Sequence, residues 1–545
     1  MIALPTLPKV RVQEKLRPVT LRDFSGGWNV LDDDMNMPHK YAKKSYNVFS
    51  QPDGTIQVRY GTDLFSDLRS RFAGGETIIN AEYFVDSFVV VSSVGKLYRV
   101  LADGTHSLLS TGLWNATEFV SFATFNNHLV LCNGSDKPLD IDEFFTVGYL
   151  QDEATGSNLN VPICKYVLAI NRYLVMAGDP LFPNRVHISA KDARGTWFGD
   201  PPPNDGTHLD VGSVLPSANI IRGLMAFRGK VVVMFAEGLV FGTLGVYNDT
   251  GSHTPSFEDG VEGFGSVSHR AGVAYGDDGL FLDLEGVPSI KRTILSASFK
   301  PERVSDVIDP EIKEALSSLN FDILENKVFS VYNKSDAQFM LFVPSADLLT
   351  QRVFVYNYRP TIGQKAWCEF GGWNFVAAIK SQAGNIFFCS ADGRIWLYGN
   401  RERPYATDFI DNLSSPASVG IGISFDYEFP WIDFGARTNT KTSKYIGFDT
   451  RGRSEFTCEM YVDNILEDVN GPAPALTTEF SGGEQGGFGH GPQPYGGGRN
   501  TANKKLYAWP SKFEIMKLRF HGTSDDGLAW VSVSMQCLAG GIMRP

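Results

Sequence analysis

Between residues 75 and 400 one pattern recurs: an apolar strand, a two-residue polar turn and a second apolar strand. It is carried by AEYFVDSFVVVSS, SFATFNNHLVLCNG, YVLAINRYLVMAGD, GLMAFRGKVVVMFAEG, GVAYGDDGLFLDLEG, FDILENKVFSVYN and IKSQAGNIFFCSADGRIWLYG, with turn centres near 86, 126, 171, 228, 277, 325 and 383. A single hairpin cannot bury its apolar face, so such units must pack on one another. Their spacing of about forty to just under sixty residues suits one four-stranded sheet per unit, which predicts a β-propeller of six to eight blades. The turn residues Asn126-Asn127, Asn171-Arg172, Arg228-Gly229, Asp277-Asp278 and Glu325-Asn326 are mostly the types that tight hairpins demand. A stack of β-sandwiches would also give regular hairpins, but with linkers about every hundred residues, and none is evident here.

Composition agrees with a mainly β chain. The 55 Gly, 39 Phe and 20 Tyr favour short strands joined by tight turns over helices. A length of 545 residues exceeds one ordinary core, so two to four units are expected. The expected division is an N-terminal arm and platform segment at 1–65, the propeller at 66–400, and a C-terminal β-sandwich or platform at 401–545. Residues 1–20 read as an extended arm. After Gly399 the segments ISFDYEFPWIDFG, KYIGFDTRG, FTCEMYVDN, FEIMKLRFHGT and LAWVSVSMQCLAG read as longer sandwich strands, interrupted by a Gly-rich loop at 481–499. One helix stands out: Asp309-Pro310-Glu311 opens it, with Ile312, Leu316 and Leu319 on one face, and it is expected to pack between blades.

The formal charge is -12, and Lys and Arg are scattered, which excludes a clamp that grips nucleic acid through its phosphates. Cysteines stand at 132, 164, 368, 389, 458 and 537, with no C-x-x-C. That spacing predicts buried free thiols rather than metal sites or a disulfide framework. The opening MIALPTLPKVRVQEK has no signal-peptide pattern. The most apolar stretch, Val231 to Gly245, is interrupted by Glu237-Gly238 and too short to span a bilayer. Assembly in a cytoplasm, with no membrane span, is the expectation.

The stretch from Leu21 to Thr62, LRDFSGGWNVLDDDMNMPHKYAKKSYNVFSQPDGTIQVRYGT, concentrates backbone devices. Gly26-Gly27 permits a turn where side chains clash, Pro38 keeps Met37 out of helix, and Asp53-Gly54 separates two short alternating runs as a hairpin turn does. The order Phe24, Gly26, Gly27, Asn29, the run Asp32 to Asp34, Pro38, Ala42, Asn47, Asp53, Gly54, Arg59 and Gly61 resembles the N-terminal region of the tail nozzle proteins of short-tailed bacteriophages, the tail tubular protein B family. The resemblance implies a propeller inserted in a platform built from both chain ends, and assembly as a homo-hexamer. It further implies a virion tail protein that contacts adaptor or portal-proximal rings and tail fibres or spikes. Such a protein retains the genome and lets double-stranded DNA pass through its lumen without specific binding.

Catalytic patterns are missing from the sequence. Gly95-Lys96 and Gly229-Lys230 lack the hydroxyl residue of a P-loop, and Gly263-Phe264-Gly265 lacks the third Gly of a dinucleotide fingerprint. There is no H-E-x-x-H. Ser213 and Ser266 lie outside any nucleophile elbow, and Asp32 to Asp34 lack the spaced acids of a calcium loop. No enzyme, cofactor or metal is expected. The competing reading is a carbohydrate-binding or glycan-hydrolysing propeller, with Asp277, Asp278, Asp283 and Glu285 as carboxylates and Trp197 or Trp373 as the sugar-stacking ring.

Overall fold

The fold is that of a computed structural model, which describes residues 17–152, 155–200, 205–215, 220–247, 253–275, 278–290, 303–359, 363–399, 410–411, 421–434, 439–451, 455–462, 476–481, 513–524 and 528–542. Its centre is a β-propeller of seven blades, each counted from the innermost strand outward. Blade 1 comprises Ile78–Phe84, Ser87–Ser92, Leu97–Leu101 and His106–Ser110; blade 2 comprises Ser121–Phe125, His128–Cys132, Leu139–Ile141 and Val147–Tyr149. Blade 3 takes Tyr166–Ile170, Tyr173–Ala177, Arg185–Ile188 and Thr207–Asp210, and blade 4 takes Ile221–Phe227, Lys230–Phe235, Gly238–Thr243 and Ser256–Glu262. Blade 5 is described as the pair Val273–Tyr275 and Asp278–Leu280, extended by the bridges Leu280 to Ser289 and Pro288 to Arg303. Blade 6 is Phe329–Asn333, Gln338–Pro344, Gln351–Arg359 and Gln364–Phe370.

Blade 7 closes the circle with strands from two distant parts of the chain. Phe375–Lys380, Ile386–Ser390 and Arg394–Tyr398 are completed by Thr62–Asp67, antiparallel to Arg394–Tyr398. That outer strand straddles the boundary expected at residue 65. Seven apolar clusters fill the seven gaps between neighbouring blades. Val90, Phe88 and Tyr98 of blade 1 pack on Ile379, Phe387 and Cys389 of blade 7, and Val175 and Val186 of blade 3 pack on Val231 and Val233 of blade 4. Each such side chain, buried from water, contributes about 1.5–3 kcal/mol.

The hairpin turns follow the sequence reading at most blades. Val85-Asp86, Asn126-Asn127 and Asn171-Arg172 all have positive φ, as does Arg228-Gly229, the geometry of turns that match strand twist. The hairpin expected around Glu325-Asn326 is not one. Phe321–Lys327 is a helix capped by Asn320, whose Oδ1 accepts the Ile323 N–H at 2.9 Å. The blade 6 hairpin turns instead between Asn333 and Gln338. The helix at Asp309–Ser317 (α1) has Pro310 in its first turn and buries Ile312 and Leu316 against blades 5 and 6, with Leu319 packed alongside. Phe321–Lys327 is α2.

The remaining strands form a two-layer sandwich beside blades 6 and 7. One layer runs Leu476–Ser481, Glu455–Val462, Met516–Ser524, Ile421–Glu428 and Lys44–Tyr46. In the other, Ala529–Ile542 pairs with Asn439–Arg451 on one side and with Arg17–Leu21 and Ile56–Val58 on the other. Phe24, Val48, Ile56, Phe425, Tyr427, Phe520 and Trp530 fill the space between them. The end of the expected arm, Arg17–Leu21, is therefore a paired strand, because the edge of Ala529–Ile542 offers it backbone partners. The Gly-rich loop lies outside the described residues beyond Ser481. Among the described residues no helix is long and apolar enough to cross a membrane.

Candidate functional site

Two features bring together polar side chains that the fold cannot do without. The first is a suture between propeller and sandwich, built by residues 24–62. Lys44–Tyr46 pairs antiparallel with Ile421–Glu428 of the sandwich, while Tyr46 pairs in parallel with Glu369 of blade 6. Two residues later the hairpin of Val48–Ser50 and Ile56–Val58 joins the second sandwich layer. Its turn is set by Asp53, whose Oδ1 accepts the Thr55 N–H (3.1 Å) and hydroxyl (2.6 Å), and by Gly54 at φ +79°.

Arg59 is the centre of this suture. It is 1% exposed. Its Nη1 donates to Asp411 Oδ1 at 3.0 Å and its Nη2 to Asp411 Oδ2, a bidentate pair across 352 residues of chain. Nη2 also donates to the Gly371 carbonyl (3.1 Å), Nη1 to the Tyr60 carbonyl (3.0 Å) and Nε to Asn47 Oδ1 (2.8 Å). The guanidinium lies 4.0 Å from the Trp373 ring centroid. Asn47, held at φ +56°, accepts the Gly371 N–H (2.9 Å) on Oδ1 and donates Nδ2 to the Ser424 carbonyl (2.8 Å). Arg59 thus holds the link between blades 6 and 7 at Gly371 and Trp373 together with Asp411, whose strand Ile410–Asp411 pairs with Thr62 of blade 7 and with Ile421 and Gly422 of the sandwich. Thr62 and Trp373 add donors to Asp411 Oδ1 at 3.3 and 3.4 Å.

The other signature residues serve the same join. Phe24 is fully buried against Tyr427 and Phe429. Gly26 donates its N–H to the Lys40 carbonyl. Gly27 (φ +71°) pairs with Trp367 of blade 6, and a Cβ there would stand 2.6 Å from the Trp367 carbonyl oxygen. Asn29, also buried, accepts the Leu31 and Asp32 N–H groups and donates to Asp32, which turns the acidic run outward. Asp34 of that run pairs with Lys43 at 2.8 Å. Pro38 closes an exposed turn by accepting the Tyr41 N–H, Ala42 accepts the Asn29 N–H, and Gly61 accepts the Gly399 N–H in blade 7. Nothing in the sequence marks Asp411 or Gly371, and Trp373 stands out there only as a sugar-stacking ring, because no local signal points to a partner three hundred residues away.

The second feature is a plug of polar contacts at one end of the propeller. Helix α2 reaches across the starts of the innermost strands. Glu325 accepts the Tyr166 hydroxyl and pairs with Lys165 (2.8 Å) of blade 3 and with Arg222 (3.1 Å) of blade 4. Its backbone carbonyl, like that of Val328, accepts the Ser268 hydroxyl at 2.9 Å. Arg270, half-buried, donates to the Val376 carbonyl of blade 7 (2.6 Å) and the Asn326 carbonyl (3.4 Å). Burial pushes its guanidinium down to about 10 and the neighbouring His269 down to about 4. Although burial opposes ionisation of Glu325, Lys165, Tyr166 and Arg222 together hold its carboxyl below the usual range. On the innermost strand of blade 1, burial pushes Glu82 up to about 7.

The described residues weighed for glycan chemistry are engaged within the fold. Trp197 and Trp373 are both 1% exposed and offer no face to a sugar. Asp283 and Glu285 both engage Arg303, Asp278 accepts the Ser289 hydroxyl, and Asp277 lies outside the described residues. Burial pushes Asp283 up to about 6 against the pull of Arg303. Cys132, Cys164, Cys368, Cys389 and Cys458 are buried and free.

No protein-family model matches the chain, and no curated protein sequence does. Solved structures similar to parts of it include PorZ, a surface component of the type-IX secretion system of Porphyromonas gingivalis (12% identity over 62% of this chain and 37% of PorZ, TM-score 0.35). Others are the WD40 β-propeller domain of Doa1 (8% identity, 62% of this chain and 96% of that one, TM-score 0.36) and BamB from Moraxella catarrhalis (14%, 70% and 97%, TM-score 0.35).

Proposed function

We propose that the chain is a structural virion protein, the tail nozzle of a short-tailed bacteriophage. In this reading copies assemble as a hexameric ring that closes the tail, retains the genome and conducts double-stranded DNA during ejection. The ring contacts adaptor or portal-proximal proteins on one side and fibres or spikes on the other. The observation that carries the reading is the suture. The residues that resemble the nozzle signature are those through which a propeller is fixed into a platform made from both ends of the chain.

The geometry also supports a mechanical rather than a chemical role. A force on the sandwich passes into blades 6 and 7 through paired backbone and the Arg59–Asp411 clamp. The propeller resists opening because every blade is packed on two others. With α2 across one end of the propeller, the path for DNA lies between copies, along the axis of the ring. Closed symmetry repeats each acidic surface around that axis, and the net charge of -12 keeps phosphates from adhering.

The test is the mass of the purified full chain, alone and mixed with its adaptor ring, by light scattering and native mass spectrometry. A closed oligomer, formed alone or on the adaptor, is expected. A chain that stays monomeric in both conditions contradicts the reading.

A further inference from the structure

Blade 3 holds a cluster that neither the suture nor the plug uses. Cys164 precedes its innermost strand, Asp179 follows its second strand, and His187 stands on the third. The Sγ, carboxylate and imidazole ligand atoms of these three residues all lie within 4.8 Å of one another, and no other such group occurs among the described residues. Cys164 is fully buried and Asp179 is 8% exposed.

The arrangement is fixed from outside. Asp179 Oδ1 accepts the Leu181 N–H at 2.8 Å, which leaves Oδ2 to meet His187 Nε2 at 3.0 Å. His187 is held in register between Met176 and His208 on the flanking strands. The sulfur of Cys164 sits in an apolar cluster with Cys132 and Met176. Lys165, Gly178 and Pro180, the chain neighbours of Cys164 and Asp179, line an open groove of about 400 Å³.

We propose that Cys164, Asp179 and His187 bind a zinc ion that staples three strand ends of blade 3. One sulfur, one imidazole nitrogen and one carboxylate oxygen form a donor set that suits zinc, with water in the fourth position. Bonds of about 2.0–2.3 Å at tetrahedral angles place ligand atoms roughly 3.3–3.7 Å apart. The cluster therefore needs to close by only about 1 Å, and the His187–Asp179 contact is already short enough. As the zinc–sulfur bond forms, the thiol proton passes to solvent, and the proton that His187 Nε2 directs at Asp179 moves through solvent to Nδ1, so that the neutral ring binds through Nε2. The staple ties residues that span positions 164 to 187, which restrains the blade as a cross-link does.

The test uses the full chain stripped with a chelator and titrated with cobalt(II) and with zinc. A thiolate-to-cobalt charge-transfer band that saturates at one ion per chain and is displaced by zinc is expected. The Cys164→Ser variant should lose the band, and His187→Asn should weaken zinc binding by about a hundredfold or more, beyond what loss of an outer partner causes. Cys132→Ser should keep both. No band in the unmodified protein overturns the proposal outright, whatever the variants do. A band that survives in Cys164→Ser, or affinity unchanged in His187→Asn, overturns it as well.

Discussion

Replacing Arg59 by Ala probes the suture at its centre. The change leaves the Asp411 carboxylate, 8% exposed, without its bidentate partner, and frees the Gly371 and Tyr60 carbonyls. Breaking a buried pair from one side costs about 3–5 kcal/mol. A cost of about 4 kcal/mol corresponds to roughly a thousandfold increase in local opening. The reporters are the amide hydrogens of Asn47, bonded to the Glu369 carbonyl at 2.7 Å, and of Gly371, bonded to Asn47 Oδ1 at 2.9 Å. Both cross from the suture to blade 6, so their exchange follows its opening. Hydrogen exchange read by mass spectrometry should show that acceleration in residues 44–62 and 369–374, while blades 1 to 4 keep wild-type protection. The double variant Arg59→Leu with Asp411→Leu removes both charges, and buried pairs replaced by apolar groups are often neutral. It should recover most of the loss. Exchange within about threefold of wild type in Arg59→Ala, or a double variant worse than the single one, refutes the reasoning.

The plug offers a parallel case. Glu325→Ala leaves Lys165, Arg222 and the Tyr166 hydroxyl without their common acceptor, a loss of about 3 kcal/mol, and limited proteolysis should cut residues 318–328 much faster; an unchanged rate removes Glu325 from the closure. His269 stays neutral in the fold down to about pH 4, against 6.5 unfolded. A lowered value means that its stabilisation is present above pH 6.5 and is lost as pH falls toward 4, by about 3 kcal/mol in all. A His269→Asn variant should show a flatter urea midpoint across that window, and an identical slope counts against it. Glu82 has the opposite sign. Its value is raised from 4.5 to about 7, so its contribution is full below pH 4.5 and lost as pH rises through 7. Glu82→Gln should be more stable than wild type at pH 8, by on the order of 2 kcal/mol, with the gap vanishing below pH 5; equal stability at pH 8 excludes the buried carboxylate as its cause.

The blades were legible because their signals are local. Alternating apolar residues and positive-φ pairs such as Asn126-Asn127 and Asn171-Arg172 act over a few residues, and a repeat multiplies them. The misread hairpin at 325 shows the limit. Asn320 with Phe321 and Leu324 is a helix start, but the following run Val328 to Tyr332 alternates, and the eye joins the two into one strand pair. Thr62–Asp67 crosses the boundary expected at residue 65: its short sequence, TDLFSD, has no apolar period of its own, and only the waiting edge of Arg394–Tyr398 makes it a strand. The signature residues 24–61 could be singled out in the sequence, but what they grip could not. Asp411, Gly371 and Ser424 come together with Asn47 and Arg59 only through the folded backbone. The plug is a similar case, since Glu325 finds Lys165 and Arg222 across a channel that exists only once seven blades have closed.

The proposed nozzle role is tested most directly by where copies of this chain sit in a phage particle that carries it. Electron cryo-microscopy of that particle, with the propeller and sandwich fitted as one body, reads this directly. The account predicts six copies around a central lumen at the tip of the tail, with the lumen wall acidic and each propeller channel off-axis. A particle in which the chain is a single globule enclosing no passage, or a passage lined by strongly basic surface, contradicts it.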